Sequence, residues 1–304
     1  MYTSENNWYY WTYGDLEPFS RQTNGLVFKT HFKNKKIKVD SFLIELKKAA
    51  SSTLDTYNLK PDIFFSGGVD SEIMLRSYIS IGYKPNVFIV RYENDFNIYD
   101  VSYAVTICSL LNVNYKIIDF NLSKFYENDA VKISELAQID RPRALPYCKF
   151  LELTDNLPIL GASDPSLIRL NDDYNKKSKW INRCWEHDIG WSKYARKIQR
   201  NAIPEWFKWT PGLMISYFNL KWCKNLVNDE YFGKLGNTST KIIGYREVFP
   251  DLIERKKQTG FEKIDFLVDE VEKYLLNKYK KFCFRQTSDI LVFDLLKKLT
   301  KEKT

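Results

Sequence analysis

Six residues, Ser66-Gly67-Gly68-Val69-Asp70-Ser71, constrain this chain more than any other stretch because of what flanks them. The apolar run Ile63-Phe64-Phe65 just before them reads as a buried strand, and the residues from about Asp70 to Ile81 read as a helix. A strand that empties through Ser-Gly-Gly into a helix makes an anion cradle. Two glycines tolerate positive φ and carry no Cβ, so backbone N–H groups can crowd around a phosphate. The helix adds its free N–H groups and the positive end of its dipole. Ser66 and Ser71 can donate hydroxyls to phosphate oxygens, and Asp70 can hold the magnesium that accompanies a nucleotide. The bland alternative is a Gly-Gly turn between strand and helix. No Gly-Lys-Ser/Thr follows the glycines, so the loop is not that of kinases and GTPases.

The rest of the chain predicts what that loop is mounted on. From Pro61 onward strands alternate with helices: Val87–Val90, Tyr115–Phe120 and Pro158–Leu160 as strands, with helical stretches at Ile98–Leu111, Lys124–Ala137 and Ala144–Thr154. Repeated strand–helix units imply an α/β fold, a parallel sheet wrapped by helices with right-handed crossovers. Ligands of such sheets lie off the carboxyl ends of the strands, where Ser66, Arg91 and Gly161 fall. The adenine of a nucleotide is expected beside Val87–Tyr92, with backbone groups near Val90 taking part. Residues 1–38 read as a small aromatic-rich β appendage, and Asp40 or Ser41 caps a helix running to about Tyr57. After about Leu170 the strand signal fades. Trp180–Gln199, Leu213–Leu226, Ile264–Tyr279 and Asp289–Leu299 are predicted as helices of a mainly helical C-terminal lobe. The expected division is therefore 1–38, 39–172 and 173–304.

Composition narrows the class. A chain of 304 residues with 44% hydrophobic content is globular, and no run of about 18 uncharged apolar residues offers a membrane span. The amino terminus is polar and aromatic rather than signal-like, so a soluble, cytoplasmic protein is expected. Five scattered cysteines without a C-x-x-C pair argue against zinc ribbons, iron–sulfur clusters and disulfides, and for buried thiols. The net charge of +8 raises nucleic acid as a partner. Between Lys176 and Arg200, Lys176, Lys177, Lys179, Arg183, Lys193, Arg196, Lys197 and Arg200 interleave with Trp180, Trp185, Trp191 and Tyr194. Such a segment suits phosphate contacts with base stacking. It equally suits a solvated basic face whose tryptophans are core.

Two further segments belong with the cradle. Gly161-Ala162-Ser163-Asp164 follows a strand, so Asp164 faces the same sheet edge as Asp70, and two such carboxylates can share a magnesium ion. An Asp-Pro turn is the plain alternative. Arg255-Lys256-Lys257-Gln258-Thr259-Gly260-Phe261 fits a cationic loop that closes over an anionic intermediate, or a solvated loop anchored by Phe261. The hexapeptide resembles the signature of the PP-loop ATP pyrophosphatase superfamily. With the other two segments, residues 40–265 resemble the synthetase domain of the asparagine synthetase and β-lactam synthetase group.

That resemblance implies a Rossmann-type PP-loop fold, ATP and Mg2+ as cofactors, and cleavage of ATP to AMP and pyrophosphate as a substrate carboxylate is activated for amide formation. It implies nucleotide contacts from Ser66, Gly67, Gly68, Val69, Asp70, Ser71, Val90 and Gly161, magnesium carboxylates at Asp70 and Asp164, and a transition-state lysine at Lys257 or Lys256. One residue more than usual separates the lysines from Gly-Phe, which leaves both in play. The group carries Glu or Tyr three residues before its second Asp, whereas this chain has Gly161. Its glutaminase needs an amino-terminal cysteine, whereas the second residue here is Tyr2, so a separate ammonia donor or an amine substrate is expected. The alternatives are a PP-loop enzyme that adenylates a base in tRNA or DNA, and a nucleotide-binding protein that has lost catalysis.

Overall fold

The computed structural model describes residues 8–15, 26–34, 36–162, 165, 167–170, 179–226, 237–255, 259–279 and 286–300. At its centre four parallel strands, β3 (Pro61–Phe64), β4 (Asn86–Tyr92), β5 (Tyr115–Phe120) and β6 (Leu157–Leu160), stand in the order β5-β4-β3-β6. They follow α1 (Phe42–Thr56) and the amino-terminal hairpin β1 (Tyr9–Tyr13) and β2 (Phe28–Phe32). Between them run α2 (Val69–Ile79), α3 (Ile98–Leu110), α4 (Leu122–Asn128), α5 (Ala130–Ala137) and α6 (Pro146–Phe150). Successive side chains of a strand point to opposite faces, and in β3 and β6 both faces are buried, while the edge strand β5 is partly exposed. Ile63, Phe65, Val87, Ile89 and Ile159 join one apolar cluster with Leu46 of α1, Ile73 and Leu75 of α2 and Val101 of α3. Phe64 and Leu160 join the other, with Phe125 of α4, Ile133 of α5 and Phe150 of α6; Phe88 and Val90 pack against it.

The connections set the ligand edge. The chain steps from β3 to β4 to β5 in one direction and returns to the far side of β3 as β6. Strand order therefore reverses between β3 and β6, and a crevice opens at their carboxyl ends. The loops after these two strands, 65–68 and 161–162, meet there.

The second half carries more sheet than its periodicity predicts. The expected helix Trp180–Gln199 is corrected to a strand, β8 (Lys179–Trp185), a 3-10 turn (Glu186–Ile189) and a helix, α7 (Gly190–Lys197). β8 is the centre of a three-stranded antiparallel sheet, between β7 (Leu167–Leu170) and β9 (Thr287–Leu291). Its β9 partners, such as Asp289 opposite Arg183, lie far along the chain, where a local pattern cannot register them. The stretch Leu213–Leu226 is two helices, α8 (Pro211–Phe218) and α9 (Lys221–Leu226). α10 (Asn237–Tyr245), α11 (Asp265–Tyr279) and α12 (Val292–Leu299) complete the described elements.

The amino-terminal hairpin is joined to this half through buried polar contacts. Tyr9 donates to Glu205 Oε2 at 3.0 Å, Lys208 Nζ reaches Glu205 Oε1 at 3.1 Å, and Trp8 Nε1 donates to the Lys208 carbonyl at 3.2 Å. Among the described residues no helix is long and apolar enough to cross a membrane. Cys108, Cys148, Cys184 and Cys223 are buried thiols outside any disulfide. Burial pushes the Cys108 thiol up to about 12 and raises Cys148 and Cys184 as well, which suppresses their thiolates. Iodoacetamide at pH 8 should therefore label these cysteines in the native protein at least ~100-fold more slowly than after denaturation. Peptide mass mapping checks this, and rapid native labelling of Cys108 would contradict its packing.

Candidate functional site

The cradle is built by steric necessity. Phe65 N–H donates to the Phe88 carbonyl at 2.8 Å, carrying the β3–β4 pairing one residue beyond β3. The chain then turns at Gly67, φ +73°, where a Cβ would stand 2.2 Å from the Asp100 carbonyl oxygen. Only glycine meets both demands. Gly68 caps α2 in an extended conformation, with no side-chain hydrogen bond to the helix's first N–H groups. Those amides point into the crevice together with the helix dipole. Two hydroxyls are held beside them. Ser66 Oγ and Ser71 Oγ are 3.1 Å apart, Gly68 N–H donates to Ser66 Oγ at 3.3 Å, and Ser71 donates to the Gly68 carbonyl at 2.9 Å.

Gly161, first residue past β6, closes the other wall. A Cβ there would lie 2.6 Å from Ser71 Cα. The loop after β6 thus packs directly on the first turn of α2, and no Glu or Tyr fits at this position without displacing the cradle. The unexpected glycine has a structural cause.

Cations approach from α10 and the segment after it. Lys241 Nζ lies 3.2 Å from Asp70 Oδ2, and the buried Tyr245 hydroxyl donates to Asp70 Oδ1 at 2.9 Å. Arg255 NH1 donates to the Gly67 carbonyl at 2.6 Å, and NH2 pairs with Glu72. A pocket of ≈ 70 Å³ sits among Gly67, Gly68, Asp70, Asp100, Lys241 and Arg255. Asp70 is the first-turn carboxylate available to a metal. Magnesium is commonly held by one or two carboxylates plus substrate phosphates, so this donor set fits it, with Lys241 yielding its place. Among the described residues no group of three or more His, Cys, Asp or Glu forms a metal cluster.

The polar end opens into a cavity of ≈ 400 Å³ against the Phe64–Val90–Leu160 face of the sheet. Ser66, Gly68, Asp70, Ser71 and Lys241 line one end, and Phe88, Tyr92, Tyr147, Phe150, Trp191 and Phe261 wall the remainder. Burial raises the Tyr92 and Tyr147 hydroxyls above their ordinary range, so both keep their protons at neutral pH and cannot serve as general bases. Val90 lines this cavity as expected. Its carbonyl accepts from Asn97 Nδ2 at 2.9 Å, while Tyr92 N–H donates to Asn97 Oδ1 at 2.8 Å. The carboxamide of Asn97 thereby takes the donor–acceptor pair that β4 offers beyond the end of β3.

The expected cradle residues Ser66, Gly67, Gly68, Asp70, Ser71 and Gly161 are thus brought together, with Val90 on the cavity wall and Val69 largely in the core. Asp164, Lys256 and Lys257 lie outside the described residues. Lys241, Tyr245, Asn97, Asp100 and Arg141 carry no motif in the sequence, whereas Arg255 opens the expected cationic segment. Among the former, only Lys241 and Tyr245 left a visible trace, a helical i, i+4 spacing just ahead of the basic segment. Among the described residues the basic-aromatic stretch behaves mostly as core and ion pairs, while Lys176 and Lys177 lie outside them. Trp191, Tyr194 and Lys193 are buried, Arg183 pairs with Asp289, and Arg200 reaches Asp155.

No protein-family model matches the chain, and no curated protein does. Among solved structures, an NMN synthetase from Francisella tularensis is similar over 79% of this chain and 95% of its own, at 15% identity and a TM-score of 0.34. An NH3-dependent NAD synthetase from Campylobacter jejuni, in complex with nitrate, is similar over 79% and 96%, at 13% identity and a TM-score of 0.34. A likeness of that degree transfers nothing to the site, which stands on its own geometry.

Proposed function

We propose that this chain is an ATP-dependent synthetase that cleaves ATP between the α- and β-phosphates and activates a carboxylate as its adenylate. One observation carries the reading: an anion cradle at a helix N-terminus opens directly into an aromatic-walled chamber of ≈ 400 Å³, a size suited to a nucleotide. Pyrophosphate would sit among the amides of α2, the two serine hydroxyls, Lys241 and Arg255. Magnesium, held by Asp70 and the phosphates, would neutralise their charge; Asp164 is proposed as a second carboxylate. The acceptor's carboxylate oxygen attacks the α-phosphorus while the bond to the bridging oxygen breaks, and that oxygen leaves with pyrophosphate. An amine or ammonia then attacks the acyl carbon and AMP departs, the nitrogen losing its proton to solvent or a nearby base. Lys241 and Arg255 offset negative charge as it builds on the leaving group, a contribution of several kcal/mol in such sites. Lys256 and Lys257 are proposed to share that role, since they fall in sequence between Arg255 and Thr259, both cavity-lining residues.

The test is release of pyrophosphate from magnesium-ATP in the presence of a panel of small carboxylic acids and amines. Wild-type protein should release pyrophosphate, and Asp70→Asn should lower the rate at least ~100-fold, the loss expected for a group acting on developing charge. Release of orthophosphate instead, or undiminished turnover by the variant, would overturn the reading. Pyrophosphate released only when RNA or DNA is supplied would assign the chain to nucleic-acid modification.

A further inference from the structure

A second cavity, of ≈ 550 Å³, lies beside the first and has a different character. Its walls are Arg141, Pro142 and Arg143 from the loop and 3-10 turn ahead of α6, Trp185 from the end of β8, His187 from the 3-10 turn after it, and Val268, Asp269 and Glu272 from α11. Arg141 lines both cavities. Its NH1 lies 3.0 Å from His187 Nε2, a nitrogen that also stands 3.3 Å from Asp188 Oδ1. Arg143 is tied to Asp265 at 2.6 Å, so Arg141 is the guanidinium of the pair left for a ligand. Asp269 and Glu272 line the same cavity from α11, one turn apart on the same side of the helix. Trp185 and His187 add aromatic rings to the lining, their centroids 5.5 Å apart.

From this arrangement we infer that the second cavity is the acceptor subsite, and that it takes a carboxylic acid bearing an amino group on the far side of a flat apolar body. The inference rests on the reading of the first cavity as the nucleotide site. A carboxylate must reach the α-phosphate to be adenylated, and Arg141 is the one residue lining both chambers among those described. A guanidinium fork is suited to hold a carboxylate there. A ligand so anchored lays its body on Trp185 and Val268 and brings its far end to Asp269 and Glu272. Two carboxylates in that place select a cationic or N–H-donating group and reject a second acid.

Binding of defined probes to the whole chain, without ATP, tests this directly. The probes are 4-(aminomethyl)benzoate, 4-methylbenzoate, which lacks the amine, and benzylamine, which lacks the carboxylate. Calorimetry should show the first binding at least tenfold more tightly than either of the others. Arg141→Ala should erase its advantage over benzylamine, and the double variant Asp269→Asn, Glu272→Gln its advantage over 4-methylbenzoate. Unchanged melting temperatures would show that the variants are folded. Equal binding of the three probes, no binding at all, or preferences that survive the substitutions would overturn the inference. Affinity for magnesium-ATP, measured in parallel, separates the two readings. Lost ATP binding with selective probe binding indicts the cradle, and the reverse indicts the second cavity.

Discussion

Replacing Gly67 with alanine will abolish nucleotide binding, and three glycines together show why. At Gly82, φ is +77° but a Cβ meets nothing within 4 Å, so alanine there carries only the left-handed backbone penalty, about 1–2 kcal/mol. At Gly161, φ is unremarkable but a Cβ lies 2.6 Å from Ser71 Cα, a collision between two backbones that neither can relieve by changing rotamer. At Gly67 both penalties combine, with φ at +73° and the Cβ 2.2 Å from the Asp100 carbonyl oxygen. Relief requires the loop or the amino end of α3 to move, and either movement redirects the amides proposed to hold a phosphate. Magnesium-ATP affinity should therefore fall at least ~100-fold in Gly67→Ala, since several charge-assisted hydrogen bonds lose their geometry at once. Gly161→Ala should fall between the two, and Gly82→Ala should melt earlier yet bind as wild type. Equilibrium dialysis with labelled ATP, alongside thermal melts, reads both quantities. ATP binding by Gly67→Ala at wild-type strength would remove the cradle from the site.

The contrast among these glycines also marks how far the sequence could be read. Ser66–Ser71 was legible because strand, turn and helix are local, and the parallel strands were legible because both sheet faces are buried and their apolar runs are short and continuous. The departure at Gly161 has no explanation in the sequence, since its partner Ser71 lies ninety residues away and no local pattern records a backbone contact. The same limit hid the pairing of β8 with β9 and turned a strand into a predicted helix. Charge was misleading for another reason. Lys193 is buried with its ammonium 4.6 Å from the Tyr13 ring centroid, and Trp191 donates to the Ala144 carbonyl at 2.8 Å. A run of alternating basic and aromatic residues reads as a binding strip only while its faces are unknown. Lys241 reaches the site because α10 packs over α2, a tertiary fact that its i, i+4 partner Tyr245 could only hint at.

Removing the guanidinium of Arg255 should have the second large effect, on stability and activity together. Glu72 is fully buried on α2 and accepts from two arginines, Arg76 Nε at 2.6 Å and Arg255 NH2. The Arg255 side chain is itself only 4% exposed, and its NH1 holds the Gly67 carbonyl at 2.6 Å. Arg76 NH1 also pairs with Asp251 at 2.9 Å, so two guanidiniums meet two carboxylates here, and Arg255 serves the cradle through its hold on the loop carbonyl. In Arg255→Ala, Glu72 keeps one partner, so the cost should sit near the lower end for a broken buried pair, about 3 kcal/mol. The freed Gly67 carbonyl adds a loss of loop order that stability alone does not capture. Lysine cannot substitute, because a single ammonium cannot serve both the carboxylate and the loop carbonyl in the fork geometry. In Arg255→Ala, Glu72 and Asp251 share Arg76 alone, so adding Glu72→Gln removes the surplus carboxylate and should restore much of the stability while ATP affinity stays low. A double-mutant cycle in urea with parallel ATP titrations measures the two contributions separately. If the double variant recovers nucleotide affinity along with stability, Arg255 acts only as a strut. If stability returns alone, its grip on the Gly67 carbonyl is what brings the phosphate into the cradle.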